Sequence, residues 1–189
     1  MKKQESILKQ FKIDKEWTLF LDRDGVINKK IENDYVKSWS EFKFIDGVIE
    51  ALRILQDIFG RIIIITNQRG IGRGLMSEQE LLEIHNNMIN ILSFYDVKID
   101  GIYYCPHDYE KEICNCRKPK PGLAYKAKEN FPEIDFKKSF MVGDSISDME
   151  FGKSLGMYTV FISKSRNATN NLIDSTFYSL LDFVVELKK

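Results

Sequence analysis

Two carboxylates, Asp22 and Asp24, close the apolar run Leu19-Phe20-Leu21 and stand directly before Gly25. In a strand spanning Trp17 to Leu21 and continuing extended, residues i and i+2 point the same way. Both side chains then reach one substrate atom or one cation. Gly25 permits a sharp turn beside them. Carboxylates buried together repel unless they share a cation or a proton, which implies a bound metal or a raised pKa. A turn aspartate before glycine accounts for Asp24 but leaves Asp22 unexplained. A calcium loop fails on spacing, because an EF-hand needs an oxygen ligand where Val26 stands and places its glycine later.

Further polar groups stand at comparable places. Thr66-Asn67-Gln68 follows a β-branched run beginning at Arg61, Lys118 lies beyond Ile102 to Cys105, and Gly143-Asp144 follows Phe140 to Val142. Thr66 and Asn67 offer a hydroxyl, an amide and backbone N–H groups to phosphate oxygens, and Lys118 adds a point charge. Asp148 reads equally as a partner beside a metal site or as a first-turn helix residue favoured by the dipole.

All three cysteines fall within Cys105 to Cys116, with His107 among them. That clustering excludes a disulfide framework spread over the fold and supplies a Cys₃His set of the kind tetrahedral zinc takes in closed structural sites. The alternative is two buried cysteines and one free thiol. Bound zinc would stiffen the loop and aim the following Arg117 and Lys118 at substrate. His85, mid-helix, has no partner in the sequence and reads as unremarkable. The segment Arg69-Gly70-Ile71-Gly72-Arg73-Gly74 does not fit a dinucleotide-binding turn, since its third glycine comes early and no acidic strand end follows. It reads as a flexible turn whose Arg69 and Arg73 help hold an anion.

These groups need a frame. Helical apolar spacing from Val48 to Leu55, a helix from Ser77 to Phe94 opened by a Ser77-x-x-Glu80 capping box, and helices over Pro121 to Asn130, Ser147 to Leu155 and Ser179 to Leu187 alternate with strands. The strands are those above plus Tyr158 to Ile162. The alternation predicts an α/β fold, a Rossmann-like three-layer α/β/α sandwich with a central parallel sheet, and ligands at the carboxyl ends of its strands.

Length and charge set bounds. The 189 residues fit a single domain, 1–189, with 1–15 as a surface extension, 105–116 as the zinc loop and Ser163 to Asn171 as a polar loop. Lys plus Arg equals Asp plus Glu at 28 each, so no global basic excess argues for nucleic acid. The longest aliphatic run, Ile62 to Ile65, is too short for a bilayer, and the first residues lack a signal-peptide core. The expectation is a soluble cytoplasmic monomer without nucleic-acid or membrane partners.

Taken together, Asp22-x-Asp24-Gly-Val, Thr66-Asn67-Gln68, Lys118 and Gly143-Asp144 with Asp148 resemble the four motifs of the haloacid-dehalogenase-like phosphohydrolases, in that family's order. The resemblance implies an aspartyl-phosphate on Asp22 and acid/base catalysis by Asp24. It also implies catalytic roles for Thr66 and Lys118, and Mg²⁺ held by the Asp22 carboxylate, the Asp24 carbonyl and the Asp144 carboxylate. Neither inter-motif gap has room for a cap domain, so loops must provide selectivity.

Within the capless branch, Cys-x-His to Cys-x-Cys-Arg-Lys-Pro is similar to the heptose bisphosphate phosphatases and the histidinol-phosphatases. Asn33-Asp34-Tyr35-Val36, Phe44 to Val48, Gly70-Ile71-x-Arg73-Gly74 and Ile102 to His107 favour the first. The departures are Asp34 for a usual Gly, Arg69 for Ser, Ser145 for Lys, and a longer stretch between Asn28 and Tyr35. The implied activity is removal of the 7-phosphate of a heptose 1,7-bisphosphate on the way to nucleotide-activated heptose. The implied substrate contacts are Asn33, Tyr35, Asn67, Gln68, Arg69, Arg73, Arg117 and Ser145, and the implied cofactors Mg²⁺ and Zn²⁺. The non-enzymatic alternative is a zinc-stabilised cation- or nucleotide-binding module whose carboxylates merely hold a cation.

Overall fold

The computed structural model describes residues 11–164 and 170–188. Its frame is a parallel sheet of β1 (Thr18–Leu21), β2 (Arg61–Asn67), β3 (Gly101–Cys105), β4 (Ser139–Gly143), β5 (Tyr158–Ile162) and β6 (Ser175–Phe177), in the order β3-β2-β1-β4-β5-β6. The helices are α1 (Val48–Ile58), α2 (Arg69–Gly72), α3 (Glu78–Phe94), α4 (Gly122–Asn130), α5 (Ile146–Ser154) and α6 (Leu180–Leu187).

Every residue of β1 is buried, and alternate side chains serve opposite faces. Leu19 and Leu21 join Ile62, Ile64, Phe140 and Val142 in one core, closed by apolar residues of α1, α3 and α6. Phe20 joins Ile63, Ile65 and Met141 in the other, closed by Leu123, Ala124 and Ala127 of α4 and Phe151 of α5. A strand covered on both faces has no polar side, so these strands read as continuous apolar runs. The three-layer α/β/α expectation holds.

The order of the strands reverses between β1 and β4. The chain runs outward from β1 to β3, then returns to lay β4 against the other side of β1. Such a switch point opens a crevice at the carboxyl ends of the two strands, and Asp22 and Asp144 follow them directly. Between Gly25 and β2 lie only a loop, a 3-10 turn at Trp39–Glu41 and α1. Between β2 and Lys118 lie α2, α3, β3 and the cysteine loop.

Some details differ from expectation. β6 is three half-buried residues on the sheet edge, too short to leave a periodic signal. α4 starts at Gly122, one residue after the expected bound, with Pro121 at its N-cap. The glycine-rich segment after β2 is not a flexible turn, because its first four residues form α2. Ser77 caps α3 with the full capping box. At the amino end Phe11 is not a surface residue: its ring packs 5.4 Å from Trp17, 5.8 Å from Phe140 and 5.1 Å from Tyr158. Residues 1–10 of the expected extension and 165–169 of the expected polar loop lie outside the described residues. Among the described residues no helix is long and apolar enough to cross a membrane.

Candidate active site

The loop after β1 is folded on itself by its own backbone. Ile27 N–H donates to Arg23 O and Gly25 N–H to Asn28 O, each at 2.8 Å, bringing Asn28 back beside Asp24. Gly25 sits at φ +93°, and a Cβ there would overlap the Asp144 carboxylate. Glycine is therefore required both for the turn and for the approach of β4's aspartate.

Asp24 is held by three side-chain donors. Its Oδ1 accepts from Arg23 Nη2 at 3.0 Å and Asn28 Nδ2 at 2.9 Å, and its Oδ2 from Gln68 Nε2 at 2.9 Å. Burial pushes its pKa up, but the Arg23 guanidinium and these donors outweigh that and hold it below the usual carboxylate range. Asp22 is treated differently. Burial pushes its pKa up to about 7, with the Asp148 and Asp24 charges adding to the rise and Lys118 opposing it.

Lys118 is 3 % exposed. Its ammonium donates to Asp22 Oδ1 at 2.8 Å and Ile65 O at 2.7 Å, and pairs with Asp148 Oδ1 at 2.6 Å. Burial alone would lower its pKa, but Asp148 and Asp22 raise it, so the charge is kept. Asn67 sets the lysine's backbone: its Oδ1 accepts from Lys118 N at 3.0 Å and its Nδ2 donates to Lys118 O at 3.2 Å. Asp148 is both a helix-capping residue and a partner in the site, because Ser145 N and Oγ donate to its Oδ2 at 3.0 and 2.6 Å.

A cavity of about 230 Å³ opens over these groups, lined by Asp22, Asp24, Thr66, Lys118, Asp144 and Asp148 at its base. Tyr35, Asn67, Arg117 and Ser145 line it as well, as the sequence leads one to expect. Asn33, Gln68, Arg69 and Arg73 do not. Asn33 turns the chain at φ +57° on an exposed loop, and Arg73 is exposed just past α2. Gln68 is 1 % exposed and spends its amide on Asp24 and on Thr66 Oγ1, 2.9 Å away. Arg69 is bound by Asp108 and Glu110 at 2.6 and 2.7 Å, which leaves its charge compensated.

The sequence reading missed three participants. Lys30 lines the cavity and its Nζ sits 2.9 Å from Asp144 Oδ2, across 114 residues of chain. Arg23 is fully buried between Asp24 and His85, whose Nε2 lies 3.1 Å from Arg23 Nη1. His85 is thus not an unremarkable helix residue. Burial first, then the Arg23 charge, depress its pKa to about 3, so it stays neutral and accepts from the guanidinium. The missed signal was position 23 itself: between two inward carboxylates, i+1 points to the opposite face, where α3 packs.

Two groups of side chains can hold metals. Oxygens of Asp22, Asp144 and Asp148 lie within 4.8 Å of one another, and Asp144 Oδ1 is buried without a hydrogen-bond partner. An all-oxygen set with an unmet acceptor suits Mg²⁺. Cys105, His107, Cys114 and Cys116 also converge within 4.8 Å, with Cys105 Sγ 3.6 Å from both His107 Nδ1 and Cys114 Sγ. Three thiols and one imidazole are the donor set of a closed structural zinc site. All three thiols are free.

Comparison with known proteins agrees with this arrangement. A family model described as polynucleotide kinase 3 phosphatase matches residues 17–177. The chain is 36 % identical over 173 residues to the D-glycero-alpha-D-manno-heptose-1,7-bisphosphate 7-phosphatase of Mycobacterium bovis, covering 90 % of each. It is 46 % identical over 139 residues to the D-glycero-beta-D-manno-heptose-1,7-bisphosphate 7-phosphatase of Haemophilus influenzae, covering 71 % of this chain and 74 % of that one. The crystal structure of D,D-heptose 1,7-bisphosphate phosphatase from B. bronchiseptica, complexed with magnesium and phosphate, superposes with a TM-score of 0.81 at 27 % identity. That match covers 91 % of this chain and 98 % of the other. The chain belongs to the heptose-1,7-bisphosphate 7-phosphatase family of haloacid-dehalogenase-like phosphatases.

Proposed function

We propose that the chain removes the 7-phosphate of D-glycero-D-manno-heptose 1,7-bisphosphate through an aspartyl-phosphate on Asp22. The observation that carries this reading is the pairing of Lys118 with Asp22 in a cavity that Asp24, Asp144 and Asp148 also line. Lys118 occupies Oδ1 of Asp22, leaving Oδ2 to attack phosphorus while the bond to the sugar oxygen breaks. Asp24 gives its proton to that leaving oxygen, then takes one from the water that cleaves the Asp22 acyl phosphate. Asp24 rests ionised under its ring of donors, and the negative charge of an arriving phosphate raises its proton affinity and loads it.

Thr66 Oγ1 accepts from Gln68, which leaves its one hydroxyl hydrogen for a phosphate oxygen. Arg117, at the rim, meets the phosphate that is retained. Mg²⁺ on Asp22, Asp144 and the Asp24 carbonyl would supply the positive charge that lets a phosphate approach two carboxylates. Zn²⁺ on Cys105, His107, Cys114 and Cys116 would fix the loop that carries Arg117 and Lys118. This reading describes a single-domain monomer working on a small molecule in the cytoplasm.

The test has two parts. Asp22→Asn should abolish Mg²⁺-dependent phosphate release while the protein stays folded; retained turnover would remove the nucleophile and favour a cation-binding module. Relatives named for both anomers make the second part a comparison of α- and β-heptose 1,7-bisphosphate with histidinol phosphate. Faster turnover of histidinol phosphate would replace the proposed substrate.

A further inference from the structure

Arg117 reaches the cavity with Nη1 buried and without a hydrogen-bond partner. A long, rotamer-rich side chain of this kind loses entropy when a ligand fixes it, unless the protein has fixed it already. The ring of Tyr109 supplies such a support: Arg117 Cζ lies 4.8 Å from its centroid, within cation–π range. The ring is itself held. Arg69 Cζ lies 3.9 Å from the same centroid, and Arg69 Nη1 donates to the Tyr109 hydroxyl at 2.9 Å.

Arg69 is in turn immobilised from α2 to the cysteine loop. Its Nε pairs with Asp108 at 2.6 Å and its Nη2 with Glu110 at 2.7 Å, leaving it 11 % exposed. Asp108 is anchored as well, accepting from Glu110 N at 3.2 Å. Tyr109 remains 53 % exposed at the head of this chain of contacts.

We propose that Tyr109, braced by Arg69, is a positioning residue that preorganises Arg117 for the retained phosphate and thereby sets selectivity for bisphosphates over monophosphates. The inference rests on the reading of Arg117 given above.

Steady-state kinetics of the full chain with Mg²⁺, on heptose 1,7-bisphosphate and on p-nitrophenyl phosphate, test it. Tyr109→Leu should raise KM for the bisphosphate about two- to fivefold, the size of an exposed cation–π contact, with kcat unmoved. Hydrolysis of p-nitrophenyl phosphate should not change. Tyr109→Phe keeps the ring and its stacking on both guanidinium groups but loses the hydroxyl's bond from Arg69, and its KM for the bisphosphate should fall between those of the unaltered protein and Tyr109→Leu. Arg117→Ala should raise the bisphosphate KM about tenfold or more, and adding Tyr109→Leu to it should do nothing further. Additive effects, or equal losses on both substrates, would overturn the proposal. If Arg117→Ala leaves the bisphosphate KM unmoved, the retained-phosphate reading falls and takes the clamp with it. If Arg117→Ala raises KM but Tyr109→Leu does not, only the clamp falls. Should Tyr109→Leu lose zinc, Arg69→Gln reads the same coupling from the other side and must raise KM for the bisphosphate alone.

Discussion

Lys118 Nζ lies 2.8 Å from Asp22 Oδ1 although 96 positions separate them in the chain. The ammonium donates to Asp22 Oδ1 and Ile65 O and pairs by charge with Asp148 Oδ1 at 2.6 Å. The lysine is therefore the internal cation of a site crowded with acids, and it lines the cavity over them.

Replacing Lys118 by Met keeps the stem and removes the charge. Breaking a buried pair from one side costs about 3–5 kcal/mol, because the partner carboxylates are left uncompensated. Urea denaturation without metal should show a loss of that order, together with loss of phosphate release. A variant as stable as the parent would mean that Asp22 and Asp148 do not depend on this charge.

The raised pKa of Asp22 sets a pH dependence for metal binding. A carboxyl shifted from its ordinary 3.8 to about 7 holds its proton more tightly when folded, so its stabilising contribution stands below 3.8 and fades as pH rises toward 7. Mg²⁺ requires the ionised form, and so relieves a penalty that is complete only above about 7. The rise in thermal midpoint on adding Mg²⁺ should grow between pH 5 and pH 8. A Mg²⁺ effect independent of pH would contradict the shifted carboxyl.

His85→Leu should destabilise the protein by about 1–3 kcal/mol at neutral pH, the cost of leaving Arg23 Nη1 buried without an acceptor. Its sign with pH is opposite to that of Asp22. A histidine depressed from 6.5 to about 3 stabilises the fold above 6.5 and loses that contribution as pH falls toward 3. The gap in thermal midpoint between parent and variant should therefore narrow on acidification, and a constant gap would show that His85 is not held neutral.

Chelation should act on the loop before the sheet. With Cys105, His107, Cys114 and Cys116 set for one tetrahedral ion, protein purified without chelator should carry about one zinc per chain. Removing it should cut phosphate release through Arg117 and Lys118, with β1, β2 and β4 still protected from hydrogen exchange. Zinc well below one per chain would count against the Cys₃His site.

The positions of the chemistry were legible because each motif follows an apolar run, and parallel strands deliver their carboxyl ends to one edge. Asp22, Asp24, Thr66, Lys118 and Asp144 were readable on that ground, and the clustered cysteines by their spacing. Arg69 and Gln68, read as substrate contacts, do not line the cavity, because a sequence displays donors but not the acceptors already spent on them. Asp108 and Glu110 claim Arg69, and Asp24 claims Gln68. His85 failed in the opposite sense, since its partner Arg23 lies 62 positions away.

By itself, the sequence determined the alternation of strand and helix, the end of the sheet where polar groups meet, and the two sets of residues able to hold a metal, all local consequences of periodicity and residue type. Only the tertiary structure decided how charge is shared among them. Burial and distances across the β1/β4 switch point raise the pKa of Asp22, keep Asp24 ionised, set Lys30 against Asp144, and hold Arg117 on the ring of Tyr109. Desolvation and pairing depend on which side chains share a few cubic ångströms, and no spacing along the chain encodes that.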